Sequence, residues 1–399
     1  MINRFGFVLF LVFSSYLQAT ESIKVGMTSA LTGPSASLGH SMQAGIESYF
    51  STVNSQGGIN GRMLELIVKD DGYEPERAAA NMRTLIDDDN VLAVIGNVGT
   101  PTAIVTVPIA QQKKTLLFGA FSGGSVLRPE PASRYVINYR ASYKQETAEI
   151  INGLLQAGIT PQQIAFFTQA DSYGDTAYRG AVSALHKAGF MQTEQLIHGR
   201  YTRNTLNVEN AVADILNATI QPKVIIMAAG YKASAKYINL VKQDITDMLF
   251  VNLSFVGSYA LQRRLSANDN VDNIIISQVV PSLDSTLPIV NEYKIAQQQF
   301  FPELQPNFVS FEGFIVAKIF HYGLMNVDMN ITKESIIEGI EAINSVDIGL
   351  GELIYYDQND HQAISKVWFT CMCDGQLKQF SWDHLTGKNF IEINSDKQG

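Results

Sequence analysis

Cysteine is nearly absent: Cys371 and Cys373 are the only two in 399 residues. That excludes a scaffold held together by disulfides. Charged residues are sparse, at 17% against 46% hydrophobic, and 38 acidic against 29 basic residues leave a net charge of −9. Such a chain buries a large core, is not disordered, and is long enough for two domains. It has no basic excess with which to neutralise a phosphate backbone, so no nucleic acid partner is expected. Long apolar runs are missing except near the start, where residues 5–16 follow Met-Ile-Asn-Arg and are almost wholly apolar. This run is too short to span a bilayer as a helix and reads as a secretory signal peptide over residues 1–19, cut after Ala19. No cysteine stands at the cut. The mature chain is therefore expected to be a free soluble protein exported into a bacterial periplasm.

Catalytic and metal signatures are missing as well. The six histidines are scattered singly, without the i, i+4 spacing that places two ligands on one helix face. No metal site is expected. Ser122 has Ala120 two positions before it, so there is no G-x-S-x-G elbow, and neither G-x-G-x-x-G nor G-x-x-x-x-G-K-[ST] occurs. No enzyme activity and no cofactor are expected. Cys371 and Cys373 form a C-x-C pair within the expected strand 367–373, pointing to one face, and read as two buried free thiols.

What is there is an alternation of short apolar runs with amphipathic stretches. Residues 23–27, 64–68, 91–95 and 115–118 read as buried strands, with helical spacing over 42–53, 76–86 and 102–112. A second series follows, with helices over 145–156, 176–187, 208–216 and 233–242 and strands over 164–167, 192–197, 224–227 and 248–251. Helices over 288–300 and 308–326 come next, and then a late hairpin of 354–356 with 366–373 around the polar turn 357–360. Repeated strand-helix-strand units predict an α/β protein with two doubly wound parallel sheets. No Pro- or Ser-rich linker separates them, so the two halves are expected to pack together.

Three small, hydroxyl-rich turns follow strands of the first half: Ser29 to Pro34, Gly96 to Thr102 and Gly119 to Ser125. In doubly wound sheets, ligands bind outside the carboxyl ends of the strands. Glycine there lets backbone N–H groups approach a ligand, and a helix starting near Thr102 directs its positive end towards an anion.

These turns also carry a resemblance. Val25-Gly26 with Leu31-Thr32-Gly33-Pro34, Gly57-Gly58-Ile59-Asn60-Gly61-Arg62 running into the strand that ends at Asp70-Asp71, Asp171-Ser172-Tyr173-Gly174, Gln278-Val279-Val280-Pro281 and Phe311-Glu312-Gly313-Phe314 resemble the leucine/isoleucine/valine-binding family. These are periplasmic solute-binding proteins, the receptors of ABC importers. The resemblance covers essentially the whole mature chain. It implies a type I periplasmic binding protein fold: two α/β lobes joined by a three-stranded hinge, closing on a small-molecule ligand. Lobe 1 would be residues 21–140 and 281–348, lobe 2 residues 141–280 and 349–385, and 386–399 a C-terminal tail.

Carried over by position, the ligand-carboxylate turn falls on Gly99 and Thr100, the next strand's turn on Ser122 and Gly123, the closing aromatic of lobe 2 on Tyr173, a second aromatic on or next to Tyr231, and the pocket-wall position of the first turn on Leu38. Two departures bear on the ligand. The acidic residue that balances an α-ammonium falls on Ser254, and its hydroxyl helper falls on Gly123. A buried ammonium without a carboxylate is costly, so the expected ligand lacks a free α-ammonium. The cysteine pair of some members falls on Tyr73 and Gly99, so that disulfide is not expected. Phe121, Tyr173, Tyr231 and Phe255 would favour a flat or apolar body with one hydrogen-bonding or anionic end. Arg140 has two readings, contact with an anion or an ion pair with Glu146, and the ion pair is favoured. A monomeric receptor serving an inner-membrane ABC permease and a periplasmic sensor serving a membrane signalling protein share all of these motifs.

Overall fold

The computed structural model describes residues 21–385 except 269 and 374; the expected signal peptide and the tail 386–399 lie outside the described residues. The first half runs β1 (Ile23–Ser29), α1 (Ala36–Ser55), β2 (Leu64–Asp70), α2 (Pro75–Asp87), β3 (Ala93–Ile95), α3 (Thr100–Gln112), β4 (Leu116–Phe118) and β5 (Val136–Ile137). Its strands form one parallel sheet in the order β2-β1-β3-β4-β5. Helices cover both faces, which is why the inner strands β1, β3 and β4 are almost uniformly buried instead of alternating.

The second half runs α4 (Tyr143–Gln156), β6 (Ile164–Gln169), α5 (Ser172–Lys187), β7 (His198–Tyr201), α6 (Glu209–Leu216), β8 (Val224–Ala228), α7 (Tyr231–Val241), β9 (Leu249–Asn252), α8 (Ser258–Leu265) and β10 (Ile274–Gln278). The chain then goes back to the first sheet through α9 (Pro288–Phe300), α10 (Phe308–Met325) and α11 (Lys333–Glu341), with α10 on α1 and α11 on β4. A short antiparallel pair, β11 (Val346–Asp347) and β12 (Leu353–Ile354), precedes β13 (Trp368–Cys373) and β14 (Gln376–Gln379). The second sheet is ordered β14-β13-β10-β9-β8-β6-β7, with β13 antiparallel to both of its neighbours. The chain thus passes between the sheets at 138–142, at 279–287 and again at 355–367.

Helix α10 is long and apolar enough to cross a membrane, but most of it is buried in the protein against α1. Two glycines allow that close approach. A Cβ on Gly45 would lie 1.9 Å from the Ser310 carbonyl oxygen, and one on Gly313 would lie 2.5 Å from that of Met42. Gly45→Ala should therefore destabilise the protein by about 1–3 kcal/mol, because backbone cannot yield as a side chain can. Urea unfolding measures the loss, and an unchanged midpoint would show that α1 and α10 are not held this closely.

Three expectations are corrected. Residues 192–197 are not a strand: Thr193–Gln195 forms a helical turn, and the strand is β7, a polar edge strand placed by its pairing with β6. The late hairpin is β13 with β14, not 354–356 with 366–373. Asp357 does organise the predicted turn, accepting from the amides of Asn359 and Asp360, but the chain then pairs with the first crossover at Asn138 and β12 pairs with β11. Cys371 and Cys373 are not free thiols but are bonded to each other. An extended strand would hold these Cα atoms about 6.7 Å apart. Here β13 ends at Cys373 and turns at once into β14, and the Cα atoms are 5.4 Å apart, within bridging range.

Candidate functional site

The carboxyl ends of the two sheets face each other across a seam, and the turns leaving them supply the side chains that meet there. After β3, Gly99 has φ +106 and begins α3; a Cβ there would lie 2.1 Å from the Tyr73 ring, so glycine is required by backbone and space alike. Its neighbour Thr100 is buried, with Oγ1 2.8 Å from Ser122 Oγ in the turn after β4, and Ser122 Oγ accepts from the amide of Gly124 at 3.1 Å. Gly123 leaves room for Tyr143, whose ring would meet a Cβ at 2.5 Å.

Aromatic rings close the space between the halves. Phe255, after β9, has its ring centroid 5.4 Å from Phe121, 4.7 Å from Tyr173 and 5.9 Å from Tyr73, and Tyr143 lies 5.1 Å from Tyr173. The structure therefore brings together Gly99, Thr100, Phe121, Ser122, Gly123, Tyr173, Ser254 and Phe255. Leu38 borders this cluster, filling the space over Gly257. Tyr231 lies further out, where its hydroxyl accepts from the amide of Ser37 at 3.4 Å and its ring faces Arg264.

Beneath the rings is a charged floor. Arg140, fully buried in the first crossover, donates from Nη2 to Glu146 Oε1 at 3.4 Å and to Ser254 Oγ, while Nη1 lies 3.5 Å from Glu312 Oε2. Its guanidinium carbon stands 4.8 Å from the Phe121 centroid. The expected ion pair with Glu146 is present, and Glu312 adds a second. Glu146 sits in the first turn of α4, capped by a reciprocal Ser142–Gln145 box, where a carboxylate complements the helix dipole. It accepts from Ser254 N at 3.0 Å, Ser254 Oγ at 3.0 Å and Ser277 Oγ at 2.6 Å. Ser254 is thus hydrogen-bonded to both a carboxylate and a guanidinium.

Burial shapes the titration of this floor. It raises Glu312 to about 7, with Glu146 adding repulsion and Arg140 opposing. Burial alone would lower Arg140, but Glu312 and Glu146 outweigh it and the guanidinium is held above its usual range. Tyr143 is pushed up to about 12, mainly by burial, with Arg140 and the Ser122 hydroxyl opposing. Several buried polar atoms have no hydrogen-bond partner: Arg140 Nε and Nη1, Tyr143 Oη, Tyr173 Oη and Glu312 Oε1. Buried polar groups are normally satisfied, so such a cluster marks a place where another molecule's polar atoms fit.

At the outer edge, Arg203 bridges Glu74 at 3.0 Å and Asp171 at 3.2 Å, and Asn204 Nδ2 donates to the Gly72 carbonyl at 3.0 Å and to Glu74 at 2.6 Å. Gln169 Nε2 donates to Tyr73 Oη at 3.3 Å. The halves are shut against each other.

Sequence reasoning missed Tyr73, Tyr143, Gln169, Arg203 and Asn204 as members of this region. Tyr73 had a signal: it follows an aspartate turn in which Asp71 Oδ1 accepts from the Tyr73 amide at 2.8 Å, holding the residue at φ +64.

Opposed sheet ends, three chain crossings and an enclosed cluster of rings and polar groups define a two-lobed solute receptor of the type I periplasmic binding class. The periplasmic binding protein family model matches residues 22–376, and the chain belongs to that family, in its leucine/isoleucine/valine-binding branch. It is similar to a possible leucine/isoleucine/valine-binding protein of Rhodopirellula baltica, with 43% identity, TM-score 0.89 and coverage of 93% of this chain and 99% of that one. The Leu/Ile/Val-binding protein homolog 7 of Brucella abortus is 24% identical over 90% of this chain and 91% of its own length. A substrate-binding periplasmic protein of Ralstonia solanacearum shares the fold, with TM-score 0.79 and 24% identity over 88% of this chain and 97% of that one. These relatives are binding proteins rather than enzymes.

Proposed function

We propose that this chain is the exported, monomeric receptor of an ABC importer, capturing a small organic solute between its lobes and presenting the closed form to an inner-membrane permease. Lobe 1 is built on the first sheet, residues 21–140 and 281–354, and lobe 2 on the second, residues 141–280 and 368–385; the third boundary lies in the 355–367 crossing rather than at 348/349 because β12 pairs with β11, and the three crossings act as the hinge. The observation that carries this reading is the enclosed cluster, where rings from both sheets meet over polar atoms that no protein group satisfies. The solute is amino-acid-like, an amide, or an aromatic or apolar acid, with Phe121, Phe255 and Tyr173 around its body, Tyr231 at the outer edge, and Thr100 and Ser122 at its polar end.

Solute released from the purified protein by denaturation and identified by mass spectrometry should, when added back, shrink the radius of gyration in X-ray scattering and raise the melting temperature. A bound solute that leaves the scattering unchanged would rule out hinge closure. Thr100→Val removes a hydroxyl from the polar end and should weaken that solute's binding by about 5- to 150-fold, or roughly 1–3 kcal/mol. Calorimetry giving the parent affinity for both Thr100→Val and Ser122→Ala would move the site elsewhere.

A further inference from the structure

We propose that Arg140 is the group that selects the solute, seating the negative end of a small monocarboxylate whose body is apolar or aromatic. The proposal rests on the receptor reading above and narrows its ligand class. It follows from which polar groups of the floor are already committed.

Glu146 is fully engaged by Ser254 N, Ser254 Oγ, Ser277 Oγ and Arg140 Nη2. The second arginine of the floor, Arg128, is likewise engaged, donating to the carbonyls of Ser122, Gly124 and Arg140 and to Gln362 Oε1. Without a hydrogen-bond partner are Arg140 Nε and Nη1, the latter in a 3.5 Å ionic contact with Glu312 Oε2, the Tyr143 and Tyr173 hydroxyls, and Glu312 Oε1. The guanidinium and both tyrosine hydroxyls can all donate to one acceptor group placed between them, and a carboxylate is the common small group that takes several such donors. An ammonium brought here would meet a resident guanidinium of the same charge, and a buried cation so placed is costly.

The position agrees with the chemistry. Arg140 is fully buried and touches the strand-end turns of both halves, Phe121 after β4 and Ser254 after β9, in the crevice where doubly wound sheets take ligands. The Phe121 and Phe255 rings beside it provide the apolar wall.

Glu312 then has a defined part. The charged and titratable groups facing it are Arg140 and Tyr139 on the crossover, Glu146 on α4 and Arg128 after β4. A bound anion adds negative charge to this set and favours the protonated Glu312, so binding near neutral pH takes up a proton from the buffer.

The test is calorimetry on the whole mature chain with matched pairs: 4-methylpentanoate and its amide, benzoate and benzamide, phenylacetate and phenylacetamide, together with leucine and isopentylamine. In at least one pair the carboxylate should bind about 10- to 150-fold more tightly than the amide, the range of a charge-assisted hydrogen bond, and the amine should not bind. Arg140→Gln should bring carboxylate and amide to within a few-fold. Because that change leaves buried acids unpaired, Arg140→Gln with Glu312→Gln serves as the folded control with the same expected loss of preference. Titration in two buffers of different ionisation enthalpy should give proton uptake on carboxylate binding in the parent and none in Glu312→Gln, a difference that a merely bracing arginine would not produce. Amides binding as tightly as carboxylates, or no panel compound binding, overturns the proposal. So does leucine binding more tightly than 4-methylpentanoate in a manner abolished by Glu312→Gln. A co-purified solute that closes the lobes while the pairs show no carboxylate preference sinks the assignment of Arg140 alone. A chain that closes on no solute sinks the receptor reading with it.

Discussion

Glu146→Ala should cost the folded protein about 3–5 kcal/mol, the penalty for leaving a buried charge without its partner. The glutamate is fully buried and joins three separate pieces of chain: the crossover through Arg140, the turn after β9 through Ser254, and β10 through Ser277. Truncation leaves the Ser254 amide and the Ser277 hydroxyl without this acceptor and leaves Arg140 with Glu312, at 3.5 Å, as its one carboxylate beside the Ser254 hydroxyl. Glu146→Gln keeps a hydrogen-bonding amide in place and should lose less. Urea unfolding of the parent and both variants measures this, and a loss below about 1 kcal/mol for the alanine variant would show that the carboxylate is not the tie described.

Glu312 should also withdraw stability as the medium goes from acid to neutral, in the direction opposite to His198 and His321, whose charged forms burial disfavours. Glu312 is displaced upward, from 4.5 to about 7, because burial penalises its charged form. The folded state therefore holds a proton over an interval in which the unfolded chain has released it. The stabilisation is fully present below about 4.5 and is lost as pH rises through about 7. Between pH 5 and pH 7.5 this group should remove about 2–3 kcal/mol. Asp71, raised to about 6 chiefly by burial, acts in the same direction over a lower interval. Glu312→Gln removes the titration, so the difference in unfolding free energy between variant and parent should shift by that amount between the two pH values. Parallel profiles would mean that Glu312 titrates as an ordinary carboxylate.

The parallel sheets were legible because strands buried on both faces leave unbroken apolar runs, as Val224–Ala228 does. Strand β7, His-Gly-Arg-Tyr, carries no such signature; an edge strand needs little apolar surface, and its place is set by pairing with Phe166–Gln169. Strand β5 has only two residues and takes its identity from β4. At the site, Thr100, Ser122 and Gly99 could be read because glycine-rich turns after strands have a geometric meaning in this architecture. Glu146 could be paired with Arg140 because they are close in the chain. Glu312 could not, since only the packing of α10 on α1 brings a distant helix to the crossover. The disulfide escaped notice because the contraction of β13 at its end depends on a turn whose tightness the local pattern does not encode.

The outer bridge from Arg203 to Glu74 and the inner contacts of Arg140 differ in distance from the crossings, and this has a kinetic consequence. In a rotation about residues 138–142, groups beside the axis travel little while groups at the margin separate fully. The margin is also the wetter place: the Arg203 side chain is 23% exposed and that of Glu74 45%, whereas Arg140 is 1%. On the proposed closure, admission and residence would be governed by different residues. The inner arginine would meet an incoming molecule in much the same form before and after shutting, and so would determine which molecules are kept. The outer bridge would form only on shutting, so its removal should speed departure of whatever is held and make the dwell time less sensitive to salt, while leaving the ranking of solutes as it was.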